Sequence, residues 1–188
     1  MAQNQKRKAQ AKVLRSFRKV HRQTGALLFF FFFFISVTGG ILGWKKHSNG
    51  IILPKTTQGS TSELSEWLTL DSLQKQATQF LHDSVSAALS PDLDRIDVRQ
   101  GKGIVKFIFS EHHYELQLDG ATGELLQIGV RRSDLLENIH DGSILDNYLG
   151  TENGQIKLVY TTVMALALLI FTVTGFWLWY GPKRMRKG

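Results

Sequence analysis

Six histidines are the chain's best ligands for a metal or a redox cofactor, because it contains no cysteine. They are His21, His47, His82, His112, His113 and His140. An imidazole can hold a metal through either ring nitrogen or move a proton near neutral pH, so spacing has to decide. His112 and His113 lie in Glu111-His112-His113-Tyr114-Glu115. In a strand, His113 and Glu115 share one face while His112 and Tyr114 share the other, so the adjacent pair diverges. Nothing at metal-site spacing completes a ligand set, and the segment reads as a polar hairpin tip. His82 reads as a surface residue of a helix. His21 and His47 are roughly 39 Å apart along a continuous helix, too far to share one ion within a chain. Gly-x-Ser-x-Gly, His-Glu-x-x-His and a Gly-rich phosphate loop are all missing, which removes the common hydrolase and nucleotide-binding constellations. Whether the chain is an enzyme stays open on these residues.

Two apolar runs must position those histidines. Gly25 to Trp44 contains an unbroken Phe29-to-Phe34 stretch, and Leu158 to Tyr180 is the second run. Neither holds Asp, Glu, Lys, Arg or His. The first spans roughly 30 Å as a helix, about the thickness of a hydrocarbon core. The expected class is an α-helical integral membrane protein with two transmembrane helices, 25–44 and 158–180. Lys6, Arg7, Lys8, Lys12, Arg15, Arg18, Lys19 and Arg22 precede the first run, and Lys183, Arg184, Arg186 and Lys187 follow the second, with no acid in either flank. All 16 acidic residues lie between the runs. The positive-inside rule then puts both tails, 1–24 and 181–188, in the cytoplasm and the middle outside, in the periplasm of a Gram-negative cell. The net charge of +7 is therefore a membrane-flanking signal. It matches an anionic inner leaflet better than a nucleic acid. About 20 apolar residues with no A-x-A site after them read as an uncleaved signal anchor. Spans without ionisable residues, and only two of them, argue against a transporter acting alone.

The exported middle has its own pattern. Residues 45–66, rich in Ser, Thr and Gly over most of their length, read as a linker. Asp71 is expected to cap a helix carrying Leu73, Ala77, Phe80 and Leu81 on one face and ending near Ser84. Strand-like runs follow at Arg95–Gln100, Gly103–Ser110, His113–Asp119 and Glu124–Ile128. Val105, Phe107 and Phe109 alternate with Lys106 and Ile108, and Tyr114, Leu116 and Leu118 with Glu115 and Gln117. One helix on one face of an antiparallel sheet, over 67–132, is the simplest arrangement that buries both apolar faces. Residues 133–157 return the chain to the membrane. Gly39 and Gly43 form a G-x-x-x-G pair suited to close helix packing, favoured within the chain over a second subunit. Val-Thr-Gly occurs both at 37–39 and at 173–175.

A helix and short sheet ending in Leu118-Asp119-Gly120-Ala121-Thr122-Gly123-Glu124-Leu125-Leu126 resemble the PepSY domain, with its hydrophobic-D-x-x-T-G-E turn. The flanks are similar to the PepSY-associated transmembrane family. They are Arg18-Lys19-Val20-His21-Arg22-Gln23-Thr24-Gly25 with Thr38-Gly39, and Asn138-Ile139-His140-Asp141-Gly142 with Val173-Thr174-Gly175-Phe176-Trp177-Leu178-Trp179. The resemblance implies an inner-membrane protein with an inserted small α+β PepSY-like domain. Larger members carry four helices and are linked to iron uptake, and they include haem-containing ferric-siderophore reductases. Two readings stay open on that basis. One is a non-catalytic binding or accessory module of a cell-envelope complex, with a protein partner. The other is a haem b redox subunit for ferric-siderophore or other iron reduction, a homodimer that restores the four-helix count. For haem, the candidate ligands are His21, His47 and His140. By position in the sequence, His21 lies about one turn outside the first span at headgroup level, and no histidine falls inside either span. His140 is expected at the membrane surface beside His47.

Overall fold

The computed structural model describes residues 2–186. Its elements run α1 (Ala2–Gly43), α2 (Leu70–Ser84), β1 (Leu93–Arg99), β2 (Ile104–Phe109), β3 (Tyr114–Asp119), β4 (Leu125–Val130), α3 (Arg132–Asp141), α4 (Ser143–Leu149) and α5 (Gln155–Arg186). They divide into two units: residues up to Gly39 with those from Asn138 onward, and Gly40–Glu137.

In the first unit, α1 and α5 lie antiparallel. Phe17 meets Trp177, a Cβ on Gly25 would strike the ring of Phe171, and Phe31 meets Tyr160. Arg7–Gly43 and Gln155–Met185 are each long and apolar enough to cross a membrane. Their outward faces stay apolar: Leu27, Phe30 and Leu169 are all exposed. Such a surface suits lipid, where helical backbone bonds satisfy themselves. The basic segment expected as a separate tail continues α1 without a break, since Lys, Arg, Gln and Ala are all good helix formers. The return segment holds α3 and α4, joined at Gly142 in the left-handed region (φ 82°). A side chain there would strike the Tyr160 ring. The buried Asp146 of α4 then accepts from the backbone N–H groups of Ile156 and Lys157 at 2.9 and 2.7 Å and from the Thr151 hydroxyl. A carboxylate on these orphan donors opposes the positive end of the α5 dipole.

In the second unit, the four strands form an antiparallel sheet in the order β1-β2-β3-β4. Each lies within two residues of its expected position, because the period-two alternation is strong. Helix α2 lays Leu73, Ala77 and Leu81 on Val105, Phe107, Phe109, Leu116 and Leu118, with Phe80 at the margin. Its N-cap is Thr69, whose hydroxyl accepts from Ser72 N–H at 3.2 Å, and not Asp71. Asp71 falls in the first turn and pairs with Lys75 at 2.8 Å.

The sheet is not half-solvated. Every residue of β2 is buried, Lys106 included. The segment expected as a linker crosses the opposite face as a strap. Thr57 donates to Gln117 Oε1 through both its N–H and its hydroxyl, at 2.9 and 2.8 Å. Gln117 Nε2 donates to Lys55 O at 2.7 Å, and Gly59 N–H donates to Lys102 O. Pro54 packs where a Cβ on Gly129 would stand. Beneath the strap, Glu115 is fully buried and accepts from Lys106 Nζ at 3.0 Å, Gln117 Nε2 at 2.7 Å and Arg131. Arg131 and Arg95 share Asp134 beyond it.

The signature turn also holds the strap. One carboxylate oxygen of Asp119 accepts from Ala121 and Thr122 N–H at 2.8 and 3.1 Å, closing the β3–β4 turn. The other oxygen accepts from Ser60 N–H at 2.6 Å, and the Ser60 hydroxyl donates to the turn-side oxygen.

Candidate functional site

The histidines resolve into different surroundings. His82 and His112 each contact a backbone carbonyl through Nε2, at Leu89 (3.1 Å) and Ser90 (3.0 Å). His113 sits in the left-handed region (φ 56°), as a hairpin tip requires. No group of three or more His, Cys, Asp and Glu able to hold a metal occurs among the described residues. His47 follows α1 in a short turn, Lys45–His47, and meets the Trp44 ring edge-on. It belongs to the second unit, and His140 to the first.

His21 and His140 are different, and they resemble each other. His21 Nδ1 lies 3.0 Å from Thr174 Oγ1 and 3.2 Å from Phe171 O. Its ring stacks on Phe171 at a centroid distance of 4.0 Å. His140 Nδ1 lies 2.9 Å from Thr38 Oγ1. Beside each threonine is a glycine whose added Cβ would stand 3.2 Å from the histidine Cε1: Gly175 for His21, Gly39 for His140. Each imidazole thus rests on a Thr-Gly pair supplied by a different segment of chain. A Cβ at either position would press the ring back by a few tenths of an ångström.

Each of these two histidines faces the apolar run of a different segment. His21 lies outside the first apolar run in sequence, but antiparallel packing sets it against Phe171, Thr174 and Gly175, within the second run. His140 likewise comes off α3 onto Thr38 and Gly39, within the first run. Along α1, Thr38 is 17 residues from His21, so the two imidazoles are roughly 26 Å apart, one toward each end of the helix pair. Gly39 therefore receives a histidine ring. A Cβ on Gly40 or Gly43 would meet nothing within 4 Å among the described residues, so the G-x-x-x-G pair is not a helix-packing seam within this chain.

The hydrogen positions follow from the acceptors. Thr38 Oγ1 is 2.6 Å from Phe34 O, and Thr174 Oγ1 is 2.7 Å from Ile170 O. Two oxygens at that separation need a hydrogen between them, and a carbonyl can only accept. Each hydroxyl therefore donates to its own helix and accepts from the histidine. Phe171 O beside His21 Nδ1 gives the same answer independently. With this geometry a neutral imidazole at either position carries its proton on Nδ1 and has its Nε2 lone pair free. Among the described residues neither Nε2 has a hydrogen-bond partner. No buried side-chain nitrogen or oxygen of the described residues lacks one, so both Nε2 atoms reach the surface of the helix pair. His140 also lines an apolar groove of about 250 Å³ with Phe32, Ile35, Tyr160, Met164 and Leu168.

The sequence names His21 and His140 together with His47 as haem candidates, and shows the repeated Val-Thr-Gly as a separate feature. The missed signal was their combination, since each histidine of one flank answers the Thr-Gly of the opposite helix. No curated protein sequence and no solved structure matches the chain. The family model described as the PepSY-associated TM region matches residues 18–188. It spans the first histidine, both Thr-Gly pairs, the sheet and both apolar runs, and the chain belongs to the PepSY-associated TM family.

Proposed function

We propose that this chain is an inner-membrane haem b subunit, with both termini cytoplasmic and the PepSY-like unit on the periplasmic side. The observation that carries the reading is the pair of outward Nε2 lone pairs at His21 and His140. An unpaired imidazole nitrogen amid apolar side chains lacks the partner that buried or lipid-facing polar groups require. Haem fits this donor set. Ligating histidines present one neutral nitrogen and tie the other N–H to an acceptor, and both residues do so here. His47 has no comparable hold on its ring and is assigned no ligand role.

Bound haem would supply one-electron chemistry, and the substrate class implied by the family is a ferric chelate on the outer side. The protein's part is to hold each imidazole at a fixed depth and to keep Nδ1 protonated. The apolar walls around His140 exclude water. His21 and His140 are too far apart to hold one group together, so any second histidine at each level would come from a second copy of the chain. The exposed apolar faces of α1 and α5 offer room for such a pairing. The basic residues of the flanks would rest on the anionic inner leaflet, consistent with the orientation.

The test is an absorption spectrum of protein purified after haem-replete expression, before and after dithionite. A Soret band is expected that shifts on reduction. It should weaken on His21→Ala or His140→Ala and vanish in the double variant. His47→Ala should leave it intact. A colourless wild-type preparation would overturn the reading and leave a membrane-anchored PepSY binding module in its place.

A further inference from the structure

We propose that Thr38 and Thr174 are positioning residues that set the tautomer of His140 and His21, and so decide which ring nitrogen is presented for ligation. The inference rests on the haem reading for its purpose, but its chemistry stands on the protein's own hydrogen bonds. A helical threonine that donates to the carbonyl four residues back has only acceptor capacity left. Thr38 and Thr174 both do this, at 2.6 and 2.7 Å. Whatever nitrogen then approaches Oγ1 must bring a hydrogen. The imidazole is held with the proton on Nδ1, opposite to the preference of a free histidine side chain. The lone pair is forced onto Nε2 at the outer edge of the ring. The neighbouring glycine completes the device, since the ring lies against the helix at a distance a Cβ would disturb.

The device occurs twice, on different helices and at opposite ends of the pair. Its parts come in the opposite chain order: histidine before Thr-Gly for 21 and 174, after it for 38 and 140. Two independent solutions with the same donor, acceptor and glycine argue for a shared task. Helix packing alone would be served as well by valine, which has the shape of threonine without the hydroxyl. In apolar surroundings valine would remove a polar group at no packing cost. The hydroxyl is needed only if the ring's protonation pattern matters.

Thr38→Val and Thr174→Val keep the side-chain volume and remove the acceptor, while Thr38→Ser and Thr174→Ser keep the acceptor. The full-length protein without haem, labelled with ¹⁵N-histidine in nanodiscs, reports which ring nitrogen is protonated. Signals of His21 and His140 are assigned by their loss in the alanine variants. Wild type and the serine variants should show protonated Nδ1 at both positions. Thr38→Val should lose that pattern at His140, whereas Thr174→Val should only weaken it at His21, where Phe171 O still accepts from Nδ1. Haemin titration should then show affinity falling about 10–100-fold in Thr38→Val and by less in Thr174→Val, with the serine variants close to wild type. Wild type with the proton on Nε2 at these residues, or valine variants that bind haemin as tightly as wild type, would overturn the inference. Wild type that shows protonated Nδ1 but binds no haemin overturns the haem reading alone, and supports the threonines as tautomer-setting groups.

Discussion

Glu115→Ala is expected to destabilise the PepSY-like unit by about 3–5 kcal/mol, the cost of leaving a buried charge without its partner. Lys106 lies 3.0 Å from Glu115, with its side chain only 4 % exposed. No other carboxylate pairs with it among the described residues. Arg131 would lose one of its two acidic partners but keep Asp134. A domain of this size has little stability beyond that loss. The strap would detach with the sheet, because Gln117 donates to both Glu115 and Lys55 O. Hydrogen exchange of the β2 and β3 amides in the full-length protein reads the effect where it occurs, without requiring the membrane helices to unfold. Lys106→Met combined with Glu115→Leu should restore most of the protection, since a buried ion pair can be replaced by apolar groups of similar size at little net cost. Slow exchange in Glu115→Ala alone would show that the ion pair is not needed.

Asp119→Ala should cost about 3 kcal/mol or more, because one carboxylate serves two jobs and its loss orphans several donors at once. The Ala121 and Thr122 amides close the turn on it, and Ser60 anchors the strap on it. Asp119→Asn keeps the turn's acceptor but turns an N–H₂ toward Ser60 N–H, so it should release the strap and spare the hairpin. Exchange at residues 57–61 should then rise while β3–β4 stays protected. The same groups predict an acid limit. Burial pushes the Asp119 carboxyl up, but the N–H groups of Thr122, Ala121 and Ser60 and the Ser60 hydroxyl outweigh it and hold the value below the ordinary one. Burial also acts on Asp134, where Arg131 and Arg95 more than offset it. A carboxyl lowered in the folded state stabilises fully above its unfolded value, about 3.9, and loses that contribution as pH falls through the folded value. Protection of the sheet should therefore be flat near neutrality and decline from about pH 4 downward. Asp119→Ala should flatten part of that decline.

How much of this could be read from residues alone differed by element. The apolar spans, the helix over 70–84 and the four strands are strong periodic signals, and local chemistry dictated them. Lys106, Glu115 and Gln117 follow the same alternation, on the face of the sheet that the helix does not cover. Their burial depends on the strap, whose Ser, Thr and Gly look like a linker until their hydroxyls and amides are placed on Gln117 and Asp119. The surroundings of the histidines were hidden for a related reason. Counting along one helix puts His21 outside the first apolar run, but what its ring faces is set by the partner helix. The antiparallel offset brings residue 21 level with 174. Nothing within a window of twenty residues carries that offset. The repeated Thr-Gly was visible in the sequence, though what it faced was not.

The Asp146 anchor at the start of α5 has a bearing on that offset. By holding the Ile156 and Lys157 amides, it fixes the phase of the helix from its first turn. Inserting a single alanine between Leu158 and Phe171 would swing everything downstream by about 100° and advance it by about 1.5 Å. Thr174 would turn away from His21 while Thr38 and His140 stayed together. One clasp would open and the other would hold, so an indel in plain greasy sequence should act as a selective lesion at a single end of the helix pair.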